Sequence, residues 1–72
     1  MSKYPYTVEK QVDGNFLIQF LDFPTGSTES HTLAGVAVAA KEVLEGLVEA
    51  YNEEGLVVPK ASYVGSMRFV EI

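Results

Sequence analysis

The sequence predicts a small α+β domain of order β-β-β-α-β, one antiparallel-containing sheet with a single amphipathic helix packed on one face. Three observations carry that expectation. Between Thr32 and Gly55, the residues Leu33, Val36, Ala37, Ala40, Val43, Leu44, Leu47, Val48 and Tyr51 fall within roughly 140° of a helical wheel, an apolar stripe of helical period. Ahead of that stripe, two runs with the period-two alternation of strands flank an Asp13-Gly14 pair, the signature of a hairpin. Behind it, an extended connection leads to a final apolar run, Tyr63 to Ile72. One sheet crossed by one helix is the simplest two-layer arrangement of these pieces.

In the first run, Tyr4, Tyr6 and Val8 alternate with Thr7, Glu9 and Gln11. Pro5 has no N–H to give a ladder, so the strand is expected to begin near it or to leave it unpaired. Asp-Gly suits a type I′ turn, which needs positive φ at both central residues. The return strand, Phe16 to Phe20, puts Phe16, Ile18 and Phe20 on one face as a floor for the helix. Pro24 and Gly26 then break the pattern into a loop, and Ser27 to His31 reads as a short polar third strand. Thr32 is the expected N-cap of the helix, although Gly35 stands where a capping box would place Glu or Gln. Gly55 suits the left-handed position that ends a helix. Leu56 to Pro59 is expected to be extended, followed by a short polar break before the last strand.

With 72 residues there is room for a single domain, 1–72, and a chain this short buries only about 60% of the surface its unfolded form exposes. Extra stabilisation is therefore expected. Cysteine is absent and histidine occurs once, so disulfides and zinc sites are not the remedy, and oligomerisation is the common one left. Met1 to Lys10 holds no apolar signal core, and the longest uncharged apolar run, Leu33 to Ala40, falls well short of the about 18 residues that a membrane span requires. The reading is a cytoplasmic protein with no membrane association.

Formal charge is −5, and the stretch from Leu33 to Glu54 supplies −4 of it. Glu42, Glu45, Glu49 and Glu53 lie opposite the apolar stripe at helical spacing and form one acidic ridge. Such a ridge repels phosphates and attracts basic proteins, so direct nucleic-acid binding is not expected. Gly35, Ala39, Gly46 and Ala50 border the ridge as a strip of small residues past which another backbone could approach. Catalytic equipment is missing from the pattern. The sequence contains no phosphate-binding glycine motif, and the acids outside the ridge (Glu9, Asp13, Asp22, Glu29 and Glu71) are not placed together by periodicity. His31 beside Ser27, Thr28 and Ser30 is a polar strand end before it is a nucleophile and base. No cofactor and no metal site are expected.

Taken together, Tyr4-Pro5 opening a strand, the Asp13-Gly14 hairpin, Phe20-Leu21-Asp22-Phe23-Pro24, Thr32-Leu33, the helix through Lys41-Glu42 and Leu44, and Glu54-Gly55-Leu56-Val57-Val58-Pro59 resemble the HicB antitoxin family. The resemblance implies a partially degraded RNase H-like fold. It also implies an antidote that binds and covers a small basic mRNA-cleaving toxin of HicA type, and that forms a homodimer or higher homo-oligomer. Leu21, Thr25-Gly26 and Gly35-Val36 depart from the residues usual in the family at those places. The sequence leaves no room before Ile72 for the DNA-binding segment many members carry, so no C-terminal DNA-binding domain is expected. Partner-binding residues are taken from surface geometry: Glu42, Glu45, Glu49 and Glu53, with Asp22 in the loop before the third strand. The alternative is an orphan or phage-type homo-oligomer with another protein partner. A minimal nuclease using Asp22 is the third reading.

Overall fold

The two alternating runs at the N-terminus become β1 (Lys3–Lys10) and β2 (Phe16–Phe20), antiparallel, in a computed structural model that describes residues 1–72. Tyr6 stands opposite Phe20 and Val8 opposite Ile18, so the apolar alternates of both strands share one face. Pro5 lies inside β1, and its carbonyl accepts the Leu21 N–H at 3.2 Å. The N–H and C=O of a strand residue point the same way, so the donor Pro5 lacks belongs to the last rung, where β2 gives way to a bend.

The hairpin forms, but not through the expected turn. Gly14 alone has positive φ, +91°, whereas a type I′ turn would need Asp13 there as well. The Gly14 N–H donates to the Gln11 carbonyl at 3.0 Å, and Gln11 N–H donates to Asn15 O at 2.7 Å. That is a type I turn on Val12-Asp13 closed by a left-handed glycine, the three-residue loop with a bulge. Asp13 contributes through its carboxylate, which accepts the Asn15 N–H at 2.9 Å and so favours negative φ at its own position.

β3 (Ser27–Ser30) adds to β2, with Ile18 opposite Thr28 and Phe16 opposite Ser30, as the polar third strand anticipated. Residues 31–35 then turn the chain, and α1 (Val36–Glu53) crosses back over the sheet. The helix starts four residues after Thr32. Thr32 still caps the turn, since its hydroxyl accepts the Gly35 N–H at 3.0 Å, but the bonds there are the tighter kind, Gly35 N–H to Thr32 O and Val36 N–H to Leu33 O. Close packing explains the tightness: a Cβ on Gly35 would lie 2.7 Å from the Ser30 hydroxyl oxygen. Leu33 consequently stays outside the helix and is 55% exposed, and Ala37 also faces solvent, so the buried stripe is narrower than the wheel implies. Its fully buried residues are Val36, Ala40 and Leu44, four apart, flanked by half-buried Val43, Leu47, Val48 and Tyr51.

At its other end the helix closes as anticipated. Gly55 takes φ +71°, its N–H reaches Asn52 O, and the Leu56 N–H reaches back to Tyr51 O at 2.8 Å. This paired arrangement satisfies carbonyls that would otherwise be orphaned.

Below the helix lie Tyr4, Tyr6, Ile18, Phe20 and Val70 from the sheet. Phe23, from the loop after β2, completes the core at 1% exposure, its ring 5.4 Å from Tyr51 edge-on and 5.5 Å from Tyr4. Gly26 makes room for it, because a Cβ there would stand 2.9 Å from Phe23 Cβ and 3.0 Å from Leu47 Cδ1.

The last strand is shorter than the apolar run that predicts it: β4 is Arg68–Glu71 alone. Tyr63 and its neighbours belong instead to a hook, residues 56–67, that rounds the end of the sheet. Three contacts hold the hook. Tyr4 OH donates to Pro59 O at 2.8 Å, Ser62 N–H donates to Asp22 Oδ2 at 3.0 Å, and Lys3 Nζ sits 5.3 and 5.1 Å from the Tyr63 and Phe69 ring centroids. The hook reverses the chain, so β4 runs antiparallel to β1, with Tyr4 opposite Val70 and Tyr6 opposite Arg68. Sheet order is β3-β2-β1-β4, with β3 and β4 as edges.

Candidate partner-binding surface

Helical spacing carries Glu42, Glu45, Glu49 and Glu53 onto one side of α1, and all four are exposed. The sheet holds the opposite side through Val36, Ala40 and Leu44, so the ridge cannot rotate inward without exposing the core. Neither helix end is charged to suit the macrodipole: the first turn holds no acid and the last turn no base. Glu53, in the last turn, opposes the macrodipole at a small cost.

Where the ridge nears the sheet edge there is a shallow hollow, lined by Glu45, Val48, Glu49, Asn52, Glu53 and Ile72. Its floor is apolar and its rim acidic. The residue after β4 closes it from below, because Ile72 continues the helix-facing side of that strand. Three of the four ridge glutamates named from the sequence, Glu45, Glu49 and Glu53, line this hollow, whereas Val48 and Ile72, its floor, were not among the residues named for a contact. Ile72 follows the same alternation as Val70, which is the signal that would have found it.

Asp22 stands apart from this surface. It is half-buried, absent from the hollow, and one carboxylate oxygen is engaged by the Ser62 N–H. Its geometry is that of a tie between the loop after β2 and the hook. The small-residue strip also divides. Ala39 is half-buried against the core and Gly35 is pressed against Ser30, whereas Gly46 and Ala50 are exposed and open space surrounds Gly46. The N-terminal half of that flank is covered by β3, and only the C-terminal half is available to a partner.

The chemistry of the polar residues is local. His31 Nδ1 lies 2.8 Å from Asn15 Oδ1, joining the hairpin loop to the end of β3, and Ser30 Oγ donates to the Thr32 carbonyl at 2.7 Å. No three His, Cys, Asp or Glu side chains converge on a point that could hold a metal ion. No helix is long and apolar enough to cross a membrane.

An exposed acidic helix on a β-β-β-α-β frame is matched by a protein-family model. That model describes the HicB-like antitoxins of bacterial toxin–antitoxin systems, and its match covers residues 3–70, from the first residue of β1 into β4. The chain belongs to this HicB-like antitoxin family. It is similar to antitoxin HicB of Escherichia coli strain K12 and to antitoxin HicB of Escherichia coli O157:H7. To each it is 30% identical over 71 residues, which is 97% of this chain and 51% of the relative. The chain thus spans about half the length of the curated relatives it matches. The matched stretch runs through β1, β2, β3, α1 and the hook into β4, and stops before Glu71 and Ile72.

Proposed function

We propose that this protein is an antitoxin that binds and blocks a small basic mRNA-cleaving toxin of HicA type, acting in the cytoplasm as a stoichiometric binder and not as an enzyme. The observation that carries the reading is the ridge of Glu42, Glu45, Glu49 and Glu53, exposed along one side of the helix in a protein of net charge −5. A basic toxin is steered toward such a surface, and the same charge disfavours direct contact with nucleic acid. Asp22 plays a supporting part by fixing the loop beside the hook. The family's partially degraded RNase H-like fold is the architecture assumed, with the strand-strand-strand-helix-strand order as support.

Coexpression with a toxin gene from the same locus tests this. Growth is rescued and the two proteins copurify, and E45K/E49K lowers the affinity by about tenfold or more. Absence of rescue together with absence of copurification would overturn the reading. The alternative, an orphan homo-oligomer with a different partner, is favoured by the free outer edge of β4; it predicts a stable oligomer and no capture of a HicA-type protein.

A further inference from the structure

The hollow beside the ridge has a shape as well as a charge. Glu45, Glu49 and Glu53 stand four residues apart on α1 and form one row, about 6 Å apart along the axis at about 1.5 Å per residue. Val48 and Asn52, also four apart, form the adjoining row, and Ile72 faces them from the chain after β4. Val48 and Ile72 are both packed against the core, which fixes the floor in place. No lysine, arginine or histidine lines this space. Other acids of the chain have partners within it, Glu9 in Gln11, Asp13 in Asn15 and Asp22 in Ser62; the three rim glutamates accept no hydrogen bond and keep their acceptors open.

Floor and rim together select the occupant. A small cation would use the rim and leave the floor wet, while an apolar side chain would cover the floor and strip water from unpaired carboxylates. A long basic side chain uses both, its methylene stem lying on apolar surface and its charged head among the carboxylates. Arginine suits the row better than lysine, because its planar head offers five donors to neighbouring acceptors and gives up water more readily than an ammonium. Such a side chain comes from a protein partner, and a family that serves toxin–antitoxin systems supplies one in the toxin.

We infer that the hollow anchors the toxin: one toxin arginine lays its stem on Val48 and Ile72 and sets its guanidinium between Glu49 and a neighbouring rim carboxylate. This rests on reading the chain as the antitoxin of a basic toxin, and it divides the ridge in two. Glu45, Glu49 and Glu53 hold the docked partner, where desolvation makes a charge pair govern dissociation. Glu42, outside the hollow, stays in water and only steers the approach.

Association and dissociation rates of the toxin from the same locus, measured by biolayer interferometry on the wild type and on E42Q, E49Q, I72A and N52R, test the division. E42Q and E49Q remove the same charge, one outside the hollow and one inside it. E49Q is expected to speed dissociation about tenfold, and E42Q to slow association about twofold with dissociation unchanged. I72A alters the floor and no charge, so it speeds dissociation about fivefold with the salt dependence kept. N52R fills the hollow with the chain's own guanidinium and weakens binding about tenfold or more. Circular dichroism melts establish that each variant folds; Glu42, Glu49 and Asn52 are exposed, so three of the four leave the core untouched. Equal dissociation rates for E42Q and E49Q, with N52R binding as the wild type does, overturn the anchor and leave the antitoxin reading standing. Absence of toxin binding to the wild type overturns both.

Discussion

Leu44 is fully buried under the helix, while Leu47, three residues on, is half-buried and touches the space beside Gly26. Leu44→Ala is expected to cost about 2–5 kcal/mol in urea denaturation, and Leu47→Ala less. Gly26→Ala meets Phe23 and Leu47 below ordinary contact distance and is expected to cost about 1–3 kcal/mol by overpacking. Gly35→Ala meets the Ser30 hydroxyl, so its loss should shrink when Ser30→Ala is present; a double-mutant cycle measures the coupling. Periodicity identified Val36, Ala40 and Leu44, but it could not identify Phe23. A lone aromatic between a bend and a proline has no period of its own, and only the proximity of Tyr4 and Tyr51 places it in the core.

At the level of elements, the hairpin, the polar third strand and the helix were legible because each has a local cause: alternation, a left-handed glycine, and a 3.6-residue stripe. The exact turn was not, because Asp-Gly fits both a type I′ loop and the bulged loop found here, and the choice rests on the Asp13 carboxylate. The last strand was overextended for a similar reason. Tyr63 is apolar and near the end, yet it packs on Phe69 at 4.8 Å from within the hook, a contact between residues of no common period. If the hook is held by Tyr4, Asp22 and Lys3, then Asp22→Ala should speed exchange of the Ser62 amide, followed by hydrogen exchange and NMR, while leaving the helix amides protected. Tyr4→Phe removes the bond to Pro59 and is expected to cost about 0.5–1.5 kcal/mol.

For the whole molecule, a small core and a localised charge set the behaviour. The core comprises nine buried residues, so any partner that binds only the folded chain should raise its stability measurably. The ridge was legible from spacing alone, since charge on the far side of an amphipathic helix has few places to go. The hollow beside it was not, because Ile72 reaches it through the antiparallel return of β4, which the hook decides. Asp22, taken from the sequence as a contact residue, turned out to have a partner within the chain. On the function proposed above, the glutamate ridge receives a basic toxin. The most direct test is the affinity of the cognate toxin for the wild-type chain and for a variant with Glu42, Glu45, Glu49 and Glu53 all changed to Gln, measured by titration calorimetry at two salt concentrations. The variant is expected to bind about tenfold more weakly, or worse, and with a flatter dependence on salt. Equal affinity and equal salt dependence in both proteins would contradict it.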